Sequence, residues 1–155
     1  MKETIKISGE YDLRFYHKNG KLFKHLIFKN IVPNTALAEI SALCAADVGG
    51  TGWDYTALGT DDTAASATQT ALLAEISTGG AERTAGTGTQ TTTTTTNDTF
   101  QLVTTFNFTA SHNLREIGVF NDATAGTMLS RQTMNADVVS GDSLVATYKV
   151  TFARA

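Results

Sequence analysis

The chain has 155 residues, of which 41% are hydrophobic and 17% charged, with a formal net charge of −3. That apolar content excludes an intrinsically disordered chain, and the length is enough to bury about two-thirds of the unfolded surface. The single cysteine, Cys44, can supply neither an internal disulfide nor a Cys-rich zinc site. No run of about 18 apolar residues occurs and Met1 is followed by charged and polar residues, so neither a membrane helix nor a secretory leader is expected.

Threonine is the outlier, with 27 residues, 17 of them within residues 51–100. It is β-branched and half-polar, which suits strands with one face in water or against another protein. Charged residues fall below the roughly 25% of an average soluble domain, so the surface must be covered by neutral hydroxyls and amides, a covering suited to permanent close packing. Charge is also unevenly placed. Residues 1–30 carry seven basic and three acidic groups, the remainder five basic and twelve acidic. A basic end and an acidic body can match head to tail in an assembly, or the basic end can be a solvated hairpin. Nucleic-acid binding is not expected, because the basic residues share their hairpin with no glycine-rich or helix-borne phosphate site.

In chain order, Ile5 and Ile7 alternate with charges, and residues 11–18 and 21–30 flank Asn19-Gly20. That dipeptide predicts a type I′ hairpin pairing Lys18 with Lys21, Phe15 with Lys24 and Arg14 with His25. Leu13, Phe15, Leu22, Leu26 and Phe28 then supply the buried pairs, and the basic tip is exposed. Pro33 stops the strand and Asn34 is the predicted N-cap of a helix whose apolar stripe is Leu37, Ile40, Leu43 and Cys44, ending at Gly49-Gly50. Cys44 reads as a small core residue. Trp53 to Ala57 alternate as a short strand that closes at Gly59, and Leu72, Leu73 and Ile76 suggest a second helix over residues 68–76.

The stretch 84–96 contains six consecutive threonines, Thr91–Thr96. It reads as an extended strand that pairs with the next one in a projecting hairpin over residues 84–110. In that next strand Phe100, Leu102, Thr104, Phe106 and Phe108 share one face. Strands are further expected over residues 114–120, 127–135 and 143–153, with Leu144, Ala146, Tyr148, Val150 and Phe152 inward. About nine strands with closely spaced turns predict a mainly β chain, a β-sandwich or barrel-like jelly roll with one or two short helices, as a single domain over residues 1–155.

Chemistry is sparse. His17 and His25 lie on opposite arms of one hairpin and His112 in a separate turn, without the spacing of a metal site. No nucleophile elbow is present, and Asp61-Asp62 sit in a polar turn rather than across a cleft. Gly86-Thr-Gly88 lacks the lysine and the strand–helix context of a phosphate loop. No catalytic residue, metal or cofactor is therefore expected. Trp53 and Tyr55 are the candidates for stacking on a sugar, with a core role the competing reading of Trp53.

Four segments together resemble small virion structural proteins of tailed bacteriophages, of the tail-fibre-like, minor structural or head-decoration type. They are Asn30-Ile-Val with its following helix, residues 57–76 (Ala-Leu-Gly-Thr through Ala-Leu-Leu-Ala-Glu-Ile), Leu114-Arg-Glu-Ile-Gly-Val-Phe-Asn121, and Gly141-Asp-Ser-Leu144. The resemblance spans about residues 25–153, and Arg115–Asn121 is its most specific piece. The long repetitive shaft of tail-collar fibres is missing, which favours a compact accessory subunit. The resemblance implies assembly on a virion made in the host cytoplasm and carries over no catalytic residues.

The expected function is accordingly non-enzymatic: a subunit that self-associates as a trimer or dimer and attaches to the outside of a capsid or tail, with major capsid or tail proteins as further partners. The interface candidates are the alternating row Thr87, Thr89, Thr91, Thr93 and Thr95, the basic tip Lys18, Lys21 and Lys24, and the strand pair Arg115 and Glu116. The alternative is a host-surface carbohydrate-binding module using Trp53 and Tyr55.

Overall fold

The structure, a computed structural model, describes residues 4–45 and 50–155. Ten elements follow in order: β1 (Ile5–Tyr16), β2 (Leu22–Lys29), α1 (Asn34–Cys44), β3 (Tyr55–Gly59), β4 (Thr84–Ala85), β5 (Thr87–Thr91), β6 (Thr99–Asn107), β7 (His112–Phe120), β8 (Met128–Val138) and β9 (Ser143–Arg154). The strands form two antiparallel sheets, ordered β2-β1-β9-β6-β5 and β4-β3-β7-β8. The chain is a mainly β sandwich. No closed barrel forms among the described residues.

Period-two alternation builds the core. Tyr11, Leu13 and Phe15 of β1, Leu102 and Phe106 of β6, and Leu144, Ala146, Tyr148 and Val150 of β9 face inward from the first sheet. They meet Leu58, Leu114, Ile117, Val119, Met134 and Ala136 of the second sheet, all in one buried cluster. Two buried hydroxyl pairs cross this layer, Thr56 to Thr104 at 2.8 Å and Tyr11 to Ser130. Each satisfies a polar group that burial would otherwise leave costly. Burial also pushes the Tyr11 and Tyr148 phenols above their ordinary range, so both stay protonated.

Several local expectations are corrected. The first hairpin does pair Phe15 with Lys24 and Arg14 with His25. Its loop, however, has three residues, Lys18 to Gly20, closed by hydrogen bonds from the His17 amide to the Lys21 carbonyl and from the Gly20 amide to the His17 carbonyl. Only Gly20 adopts positive φ, so the turn carries a bulge and is not type I′. Lys18 and Lys21 therefore do not oppose one another, and Leu22 is exposed.

The helix begins one residue early, with Pro33 as N-cap and Asn34 already helical. Of its stripe only Ile40 packs on the core; Leu37, Leu43 and Cys44 are exposed, so Cys44 is not a core residue. Gly49 lies outside the described residues. Residues 68–76 are not helical. Ile76 donates its amide to the Leu58 carbonyl and the Ala74 carbonyl accepts from Thr60, tying the segment to the edge of β3 instead.

The threonine-rich stretch divides. β4 joins β3 in the second sheet, Gly86 crosses over, and β5 joins β6 in the first. The hairpin is an edge of the sandwich, and residues 92–96 form its loop rather than an extended arm. On β9, Phe152 is exposed rather than inward.

Candidate functional site

Residues 60–76 run as an irregular strap over the outer face of the second sheet, the side that would otherwise meet water. A bulge in β7 between Leu114 and Glu116 turns Leu114, Ile117 and Val119 to the core and Glu116, Gly118 and Phe120 to the strap. Glu116 is fully buried. Its carboxylate accepts the Leu73 amide at 3.1 Å and the Ala74 amide at 2.7 Å, and pairs with Arg131 Nε at 2.7 Å. Arg131, 1% exposed, uses Nη1 to hold the Thr63 carbonyl at 2.9 Å and Gln69 Oε1 at 3.1 Å. Its Nη2 lies 3.6 Å from Asp61, too far for a hydrogen bond. Hydrogen bonds from Thr63, assisted by the Arg131 charge, hold the Asp61 carboxyl below its usual range.

Two glycines admit this joint. A Cβ on Gly59 would stand 2.4 Å from Glu116 Oε1 and 2.7 Å from the Ala74 carbonyl. A Cβ on Gly118 would meet Leu72 at 2.9 Å, so a glycine in this strand permits the strap's close approach. Leu72 then completes a second apolar cluster with Ala57, Phe120 and Met128, capped by the Arg83 guanidinium 3.7 Å from the Phe120 ring centroid. Thus the segments 57–76 and Arg115–Asn121, which carry the resemblance, meet in space, and their characteristic residues are spent on holding the strap. Glu116 is removed from the surface candidates, because its carboxylate has no path to another chain. Arg115, the bulged residue itself, forms an ion pair with Asp137 at 2.8 Å near solvent. Arg131 has little signal in the sequence beyond being a charged residue close behind the apolar pair Met128-Leu129.

The threonine row is only partly a row. Thr87 and Thr89 are exposed on β5, the edge strand, and Thr91 is half-buried. Thr93 and Thr95 lie in the loop instead, where Asp98 accepts the amides of Thr93, Thr94 and Thr95 at 2.7 to 2.9 Å. These bonds hold the Asp98 carboxyl well below the usual carboxylate range. Hydroxyls of Thr93 and Thr151 flank that of Thr99 at 2.7 and 3.1 Å. β5 carries no charge, no proline and no bulge along its free edge.

Among the described residues Lys18, Lys21 and Lys24 make no ion pair. They surround a loop fixed by His17, which stacks on Phe23 at 4.2 Å and contacts Asp142 at 3.1 Å. Trp53 is buried in the main core and donates to the Thr127 carbonyl at 3.1 Å. Tyr55 packs with the second cluster, on the other side of the sheet. The two rings do not form a common platform. Among the described residues no three His, Cys, Asp or Glu side chains gather as metal ligands.

The geometry therefore offers contact surfaces: a neutral free edge at β5 and a basic loop at the β1–β2 turn. No family model, no curated protein and no solved structure matches the chain.

Proposed function

We propose that this chain is a non-enzymatic structural protein of a tailed-phage particle, which self-associates and attaches to the outside of a capsid or tail. The observation that carries the reading is the free edge of β5: a strand of threonine, glycine and glutamine without the lysines, proline or bulge by which sheet edges are ordinarily protected. Its unpaired backbone groups can add a strand from a neighbour, and its short uncharged side chains permit close approach. The buried joint of Glu116 and Arg131 supports the same reading from another side, because it gives the segment on which the resemblance to virion proteins rests a scaffolding role.

The test is solution mass combined with location in the particle. The parent protein should sediment as a small multiple of its 16.5 kDa, and antibody labelling should find it on the outside of purified virions. Thr87→Lys with Thr89→Lys should yield a folded protein of reduced mass, since lysine on an edge strand opposes pairing. A parent that stays monomeric at every concentration and is absent from particles would overturn the proposal.

A further inference from the structure

Antiparallel topology separates the unpaired charges along the strand axis. The β1–β2 loop lies beside the β8–β9 turn, where His17 reaches Asp142 and the Lys18 stem runs over Gly141. The β7–β8 turn is at the other end of β8, about 33 Å away at 3.3 Å per residue. Around that far turn stand Asp54, whose amide bonds the Phe120 carbonyl, then Asp122 in the turn itself, and Glu82, which shares a surface groove with residues 123–125. Among the described residues these three acids make no ion pair, just as Lys18, Lys21 and Lys24 make none at the near end.

Apolar surface is divided in the same way. Leu22 and Val139 protrude at the near end. At the far end the two sheets part around a cleft of about 370 Å³, with Trp53, Phe100 and Leu129 inside and Leu43 and Phe152 exposed at its mouth. One end is basic with apolar knobs; the other is acidic beside an apolar recess.

We infer that copies of this chain dock end to end, the Lys18–Lys24 loop of one seated against the Asp54–Glu82 rim and apolar cleft of the next. The inference rests on the reading of the chain as self-associating and names a second interface, distinct from the β5 edge. The contact is heterologous: one copy's near end meets another's far end, so it propagates into a ring or a stack rather than closing as a twofold dimer. The basic loop belongs to the first sheet and the acidic rim to the second, while Lys6 and Arg154 occupy the far end of the first sheet. Successive copies are therefore offset or rotated, which keeps the lysines clear of those two cations.

The test uses the full chain and two reversed variants, Lys18→Glu with Lys21→Glu and Asp54→Lys with Glu82→Lys, each checked for folding by near-ultraviolet circular dichroism. Sedimentation at about 0.05 M salt should show assemblies of the parent that grow with concentration, and at about 0.5 M salt these should shrink, because exposed charges are screened beyond a few ångströms. Each variant alone should need at least ten times more protein to reach the parent's size. An equimolar mixture should regain it, since the acidic loop of one variant then faces the basic rim of the other. If either variant assembles like the parent, or the mixture regains nothing, the end-to-end contact is wrong even where β5-dependent association persists. A parent that is monomeric in every buffer would instead remove the self-association reading, and this contact with it.

Discussion

Two irregular segments of this molecule are held by the same device, a carboxylate that collects successive backbone amides, yet the two are built differently. Asp98 gathers Thr93, Thr94 and Thr95 from three to five residues away, at the surface and, among the described residues, without an ion pair. Glu116 gathers Leu73 and Ala74 from more than forty residues away, out of water, and needs Arg131 against it. The difference follows from solvation. A surface carboxylate loses little hydration on accepting amides, so local geometry suffices. A buried one must recover several kcal/mol of lost hydration, and the guanidinium both neutralises it and reaches on to Thr63 and Gln69. The first device shapes a loop, and the second fastens a 17-residue strap to a sheet.

Removing the buried carboxylate should therefore have the largest effect. Glu116→Ala strands the Arg131 charge and two amides at once, and chemical denaturation should report a loss of about 3–5 kcal/mol. Replacing both charges, Glu116→Leu with Arg131→Met, should recover part of this but not all. The ion pair alone can be exchanged for apolar packing at little cost, whereas the Leu73 and Ala74 amides remain unpaired at about 1–3 kcal/mol each. Full recovery in the double variant would mean that the strap's amides find other partners. A smaller loss, about 1–3 kcal/mol, is expected for Gly59→Ala, whose methyl group would press on Glu116 and the Ala74 carbonyl. Its signature is local: thermolysin should cut near Leu72 and Leu73 before the sheets unfold.

The contrast also explains which parts of the fold were legible in the sequence. Strict alternation in residues 100–108 and 144–150 gave strands and inward faces correctly, because period two needs only neighbours to be read. Over residues 68–76 the helical spacing of Leu72, Leu73 and Ile76 misleads, because the groups that claim the segment's amides and carbonyls, Glu116 and the β3 backbone, are distant in sequence. Glu116 looked like a surface residue for the same reason: it does face away from the core, but that side is itself roofed. The Thr91–Thr96 run read as strand by propensity, and Asp98 overrode it by offering the amides a nearer acceptor. For the hairpin, Asn19-Gly20 predicted the main register but not the extra loop residue, since only Gly20 takes positive φ.

The smallest expected effect sharpens the surface half of the contrast. Asp98 is held below the ordinary carboxylate range in the folded chain, chiefly by the Thr95 and Thr93 amides. The unfolded state thus binds its proton at higher pH than the folded state does. The stabilisation from Asp98 is then fully present above about pH 4, the ordinary aspartate value, and drains away as pH falls towards the depressed folded value. Asp98→Asn should lower the melting temperature slightly at neutral pH and flatten the fall in stability on acidification below pH 4. The two proteins should converge in acid, where the parent's carboxylate is protonated too. Amide exchange at Thr93–Thr95 should quicken in the variant while exchange at Leu73 and Ala74 stays unchanged. If the strap amides quickened equally, the loop and the strap would be one cooperative unit, and the division between a local and a long-range fastening would fail.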